Sequence, residues 1–472
     1  MSGTVPEALE CDLVVVHAQL ITMNDQLEVI ADGAIAVKDG RIAAVGPTPD
    51  IHAGWKSSHV IDADGGMVHP GYIDGHCHAG LHLIRGLLDD DPESPPQPGQ
   101  HAFVRWLNTI TSDDEYVSTQ ASAVEALMNG FTGFVEAGTA YDTDRVAAAV
   151  NSVGIRCSLG EPFLWDRPGV EHMAEEIERA PCSTDRCLKG LGSELWRNKD
   201  AGSRVRGHVA LYGLGSSSDE LMRAAKDLSD SNNVPLHQHQ SLSPEDYRLE
   251  REQRGRAPLL YLAEQGLIGP NNVYTHMNIL NATERDAVVE SGMAVVWQPG
   301  NAAYYRILRE HSSPFPELER RGVDIAFGID VGKIWAFGDL GYVAYLTMRS
   351  EGDYVSPWSI VRMFTRGGAR AFGLPNELGQ IAPGYRADIV VRAPCEPANF
   401  PGLSPENHLA LSARTQGVRT VICDGEVLLK DRVPTRIDLD ELAHTARATA
   451  RDVAGRAGIP IPHGARGAGG IS

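Results

Sequence analysis

The chain has 472 residues, and 62 Asp and Glu against 42 Lys and Arg give it a formal net charge of −20. That balance repels phosphate backbones, and no stretch interleaves Lys and Arg with aromatics, so nucleic acid is not an expected partner. No run approaches the ~18 apolar residues of a membrane span, the first residues lack a basic region followed by an apolar core, and seven scattered cysteines without a C-x-x-C pair make no disulfide framework. The expectation is a soluble cytoplasmic protein.

Residues 1–69 carry short alternating runs such as DLVVVHAQLI and GAIAVKDGRIAAVG, broken by Asp-Gly and Gly-Pro turns, and read as the first part of a β-sandwich. Over 70–374 the texture changes to apolar runs of 4–6 residues (GFTGFVEAG, IRCSLG, HVALYGLG, VPLHQHQS, NVYTHMNI, AVVWQP, DIAFGID) alternating with helical patterns. Seven or eight strand–helix repeats of this kind predict a closed parallel barrel of the TIM (β/α)8 type. Residues 375–437 return to β texture in GQIAPGYRADIVVR and GVRTVICDGEVLLKD, and 438–472 read as a helix followed by a flexible Gly/Pro-rich tail. The predicted architecture is an α/β chain: a distorted barrel inserted into a composite β-sandwich built from both termini.

The first chemical signal is His76-Cys77-His78 at the end of the first barrel strand. Residues i and i+2 of a strand share a face, so both imidazoles can hold one metal ion while Cys77 points away. With 17 histidines in the chain, roughly 0.6 such pairs arise by chance, so the pair gains weight only from its position. The C-terminal ends of barrel strands carry active sites, and His237, His239, His276 and Asp330 recur at the ends of later strands. His239 lies nearer the rim than His237 and is the favoured ligand of the two; a helix N-cap is the structural alternative for Asp330.

These pieces, with PGYIDGHCH, LIRGLLDD, FVRWL, GID, TRGGARAFGL and LGQIAPGYRADIVV, resemble the amidohydrolase superfamily, in particular its mononuclear branch of triazine hydrolases and cytosine or guanine deaminases. The resemblance runs from Cys11 to about Asp431. It implies that His76, His78, His239 and Asp330 bind one divalent metal, zinc first, with iron, cobalt or manganese compatible with the same ligands. It further implies that Asp330 takes a proton from the attacking water and that His276 contacts that water or the substrate. The binuclear relatives carry a lysine at the fourth strand; HVALYGLGSSS has none, so one metal is expected.

One departure bears on the substrate. The deaminase branch has H-x-x-E at the fifth strand, whose glutamate protonates a ring nitrogen, whereas three residues beyond His239 stands Leu242. A leucine transfers no proton, and losing such assistance costs ~10²–10⁴ in rate. The reading therefore favours hydrolysis of a non-peptide C–N bond in an amide, N-substituted urea, carbamate or thiocarbamate. The alternative is a heterocycle deaminase or dechlorinase with a displaced acid, for which Glu245, Glu136 and Glu161 are candidates. Asn278, Gln298, Asn301 and Lys333 lie near the expected mouth, and Trp106, Tyr304, Tyr305 and Trp335 are candidates for an aromatic wall. A small-molecule substrate and a homo-oligomer, dimer or larger, complete the expectation.

Overall fold

The computed structural model describes residues 8–88, 100–167, 176–179, 183–309, 311–331, 336–412 and 415–461. Strands from the two ends of the chain share one nine-stranded sheet. Its seam is the antiparallel pairing of Met67–Pro70 with Ile389–Arg392, in the register Val68 to Val391 and His69 to Val390. The run LVVV at the start of Leu13–Ile21 is unbroken because both faces are covered: Leu13 and Val15 pack with Ile35, Val37, Ile389 and Ile422, while Val14 and Val16 pack with Ala34, Ala36 and Ile51.

Between those ends lie the barrel strands β1 (Tyr72–Cys77), β2 (Phe131–Glu136), β3 (Arg156–Leu159), β4 (Val205–Gly207 with Val209–Gly213), β5 (Leu236–Gln240), β6 (Asn272–His276), β7 (Ala294–Trp297) and β8 (Ile325–Phe327). All neighbours pair in parallel. Strand β4 breaks at His208, its first piece pairing with β3 and its second with β5. The ring is joined at β8 and β1 by backbone: Asp330 N–H donates to the His76 carbonyl at 2.9 Å, and Cys77 bridges Asp330 in parallel. Asp74, fully buried, reinforces that seam by accepting from the backbone N–H of His76 (2.9 Å) and of Ile329 (2.8 Å). The fold is the expected one, a distorted TIM barrel with a composite β-structure from both termini.

A buried ion pair fastens the two parts together. Arg156 on β3 donates from Nε and Nη2 to the two oxygens of Asp388 at 2.8 Å each, and also reaches Asp424. The last helix, Leu439–Ala457, starts on an Asp438 cap and stops at Gly458 in the left-handed conformation. Its Val453, Ala454 and Ala457 pack into one cluster with Val104, Trp106 and Leu107 of the helix Ala102–Thr109. The expected flexible tail beyond residue 461, with Lys333 and Trp335, lies outside the described residues. Among the described residues no helix is long and apolar enough to cross a membrane.

Candidate metal centre

Four barrel strands deliver the polar groups to one point. His76 Nε2 and His78 Nε2 lie 3.2 Å apart, and Asp330 Oδ1 stands 2.9 Å from His78 Nε2 and 3.6 Å from His76 Nε2. His239 adds its ring 4.7 Å from that of His76, and one nitrogen from each of His76, His78 and His239 lies within 4.8 Å of the others. His276 stands behind, its ring 6.0 Å from His76 and 5.4 Å from His239. Both His276 (φ 69°) and Asp330 (φ 62°) adopt the left-handed backbone region, a strain of order 1–3 kcal/mol that side-chain residues hold only where surroundings enforce it.

Two imidazole nitrogens and a carboxylate oxygen this close require a proton or a cation between them. Burial pushes the imidazoles of His76 and His239 down, the latter well below the usual histidine range, so both are neutral and offer lone pairs. Burial alone would raise the Asp330 carboxyl, but its contacts with His76 and His78 outweigh it and hold the group well below the ordinary carboxylate range. Imidazoles grouped around one ionised carboxylate are a donor set that suits a divalent ion. The cluster is a site for a divalent metal.

The other candidates sort by contact. His237 is not among the grouped histidines: its Nε2 faces the Ala371 carbonyl at 2.9 Å and its ring lies tilted against that of His208, 4.6 Å away, deeper in the barrel. Asn301, fully buried, donates from Nδ2 to Asp330 Oδ2, and Gln298 Oε1 accepts the His276 backbone N–H at 3.1 Å. Asn278 donates to the carbonyl of Leu242 at 2.9 Å, tying the β6 loop to the β5 loop. Trp106 is fully buried in the apolar cluster with Phe163, Trp165 and Val331. Tyr304 and Tyr305 make an edge contact with each other at 5.1 Å, and Tyr305 is exposed.

None of the three displaced-acid candidates presents a free carboxyl to this group. Glu245 lies on the outer surface in an ion pair with Arg248 at 2.7 Å. Glu136 is fully buried and accepts from Thr139 Oγ1 at 2.9 Å and Gly138 N–H at 2.8 Å. Glu161 accepts the backbone N–H groups of Ala210 and Gly192, and burial pushes its carboxyl up to about 8. Leu242 itself is half-buried.

Three features escaped the sequence reading. Thr139 Oγ1 lies 2.8 Å from His78 Nδ1, and the carbonyl of Tyr212 lies 2.7 Å from His239 Nδ1. An aromatic chain also leads away from His239: Tyr212 at 5.1 Å, then Trp165 at 4.5 Å from Tyr212, and Phe163 stacked on Tyr141 at 4.8 Å. Backbone carbonyls carry no sequence signal; the strand-end aromatics Phe163 and Tyr212 do, through their place just past β3 and within β4.

A family profile described as the amidohydrolase family matches residues 67–428, spanning β1 to the last sheet strands and every residue of the metal cluster. The chain belongs to the amidohydrolase family. A 5-methylthioadenosine/S-adenosylhomocysteine deaminase of Syntrophobacter fumaroxidans is 29% identical over 448 residues, covering 94% of this chain and 98% of that protein. A 5'-deoxyadenosine deaminase of Methanothermobacter thermautotrophicus is 28% identical, covering 90% and 96%. Among solved structures, an adenosine deaminase of Xanthomonas campestris with bound zinc superposes with a TM-score of 0.85 at 23% identity, covering 95% of this chain and all of that one. An atrazine chlorohydrolase of Arthrobacter aurescens complexed with zinc gives 0.77 at 20% identity, covering 93% and 100%. This amidohydrolase is therefore an enzyme with a small-molecule substrate.

Proposed function

We propose that this amidohydrolase cleaves a non-peptide C–N bond of an amide, N-substituted urea, carbamate or thiocarbamate, with zinc held by His76, His78, His239 and Asp330. A divalent ion bound there lowers the pKa of water toward ~7 and so supplies hydroxide at neutral pH. The chain's own groups do the rest. Asp330 is ionised and can accept a proton, Asn301 fixes the orientation of its second oxygen, and His276 stands over the cluster where it can orient the substrate carbonyl. Asn278 and Lys333 are the substrate-side residues of this proposal, whereas Trp106, expected among them, is buried in the apolar cluster under the last helix. A cytoplasmic location and a homo-oligomer of two or more copies belong to it as well.

The observation that carries the choice of substrate is Leu242, the residue three beyond His239, together with the outward ion pair of Glu245. A ring nitrogen would find no proton donor at that place, whereas the carbonyl of an open amide or urea would be polarised directly by a metal held there. The second reading, deamination of an adenosine-type ring, is favoured by the near full-length likeness to proteins described as deaminases. A panel assay separates them by product. Amine release from aryl ureas and carbamates, with little ammonia from 5'-substituted adenosines, supports the first; efficient ammonia release from the nucleosides overturns it.

A further inference from the structure

The geometry points to Thr139 and Glu136 as positioning residues of the metal centre, acting through His78. Nε2 of His78 faces His76 and Asp330 and is the atom available to an ion. The opposite nitrogen, Nδ1, lies 2.8 Å from Thr139 Oγ1, and that hydroxyl lies 2.9 Å from Glu136 Oε1. All three side chains are buried, with exposures of 5%, 3% and 0%.

The direction of each hydrogen bond follows from Glu136. Its carboxylate already collects the backbone N–H groups of Gly138 (2.8 Å) and Thr139 (3.2 Å to Oε2) and, when ionised, is acceptor only. The single proton of the Thr139 hydroxyl therefore goes to Glu136, and the Thr139 oxygen is left to accept. His78 must then carry its hydrogen on Nδ1, which makes Nε2 a lone pair aimed at the cluster. The turn that presents these N–H groups needs a glycine: Gly138 has φ 77°, and a Cβ there would stand 2.9 Å from the Glu161 carbonyl oxygen.

His239 obtains the same constraint from a backbone carbonyl, that of Tyr212, which no substitution removes. His78 depends on two replaceable side chains, so its tautomer can be tested. Outer partners of this kind are worth ~10–100-fold in metal affinity. This role also accounts for a buried carboxylate at the end of β2 that the proposed reaction leaves unused.

The inference rests on the metal reading above, and the experiment separates the two. Full-length wild type, Thr139→Val, Thr139→Ser and Glu136→Gln are stripped of metal, and Zn²⁺ affinity is measured by competition with a chromogenic chelator. Thermal denaturation of the metal-free proteins serves as the fold control. Valine removes the hydroxyl at constant shape, serine restores it, and glutamine can donate to Thr139 and let the hydrogen-bond chain run backward. The expected result is ~10–100-fold weaker Zn²⁺ binding in the valine and glutamine variants, near wild-type binding in the serine variant, and similar metal-free midpoints. Equal Zn²⁺ affinity in wild type and the valine variant, or a serine variant as weak as valine, overturns the positioning role. Failure of the wild type to bind Zn²⁺ overturns the metal reading and this inference with it. If the valine variant does not fold, the glutamine variant decides.

Discussion

Asp330 meets His78 twice: its Oδ1 lies 2.9 Å from His78 Nε2, and its backbone carbonyl accepts the His78 N–H at 3.4 Å. The seam of the barrel and the metal cluster are thus the same few atoms, so changes to the cluster also test the join between β8 and β1.

Asp330→Asn keeps the shape of the side chain and removes its charge and its capacity to accept a proton. Turnover should fall by ~10²–10⁴. Metal per chain, measured by elemental analysis after purification in metal-poor buffer, should drop below one in this variant and in His76→Ala. Wild-type protein with little metal and no turnover would instead mark a non-catalytic barrel.

Stripping the metal should lower the thermal midpoint, because an ion that binds only the folded chain stabilises it by mass action, about 4 kcal/mol at a thousandfold excess over Kd. Scanning calorimetry with graded Zn²⁺ should show a midpoint that rises with the concentration of free ion. A midpoint indifferent to Zn²⁺ would contradict the site.

Leu242→Glu places a carboxyl where ring-deaminating relatives are expected to carry one. Ammonia release from 5'-substituted adenosines should rise by about two orders of magnitude, the low end of the range for general acid–base assistance, while urea or carbamate hydrolysis does not improve. Unchanged nucleoside turnover in the variant would show that the acid is not what limits ring deamination.

Glu161 gives a pH signature. Its carboxyl is pushed up to about 8 by burial, against 4.5 when unburied, so between these values the folded chain holds a proton that the unfolded chain has lost. This contribution to stability is complete below pH 4.5 and is lost as pH rises toward 8, with a slope of about 1.4 kcal/mol per pH unit inside that window. Glu161→Gln should flatten that part of the profile in denaturant melts at pH 5, 6.5 and 8. Parallel profiles for variant and wild type would refute the assignment.

Arg156→Met leaves Asp388 charged, buried and without its guanidinium. Such uncompensated burial costs ~3–5 kcal/mol, and chemical denaturation should show a correspondingly lower midpoint. Replacing Asp388 with Asn in the same background should recover part of the loss; no recovery would place the cost in packing rather than charge.

Much of this was legible in the sequence because metal chemistry is local at each strand end. The spacing of His76 and His78, the apolar run before His239 and the isolated Asp330 after DIAFGI each mark a strand end, and the family resemblance is what makes them ligands. What stayed hidden depends on loops. The hydroxyl of Thr139 reaches His78 through a turn whose course no periodicity encodes, and the break of β4 at His208 matches no residue pattern. The direction of Glu245 was equally unreadable: only the capped helix Pro244–Arg254 turns it outward to Arg248. Trp106 shows the opposite error, since an aromatic at the mouth reads as a wall until the last helix is seen packed on it.

The pairing of Met67–Pro70 with Ile389–Arg392 has a consequence for how the chain is made. When the first of these strands leaves the ribosome, its hydrogen-bonding partner is roughly 300 residues away, tens of seconds of synthesis at ~5–20 residues per second. During that interval Met67–Pro70, flanked on one side by Leu13–Ile21, must wait with its other edge open. Nascent chains of this enzyme should therefore be vulnerable to edge-to-edge aggregation until late in translation, and slow growth temperatures or chaperone supply should govern its recovery more than the stability of the finished barrel.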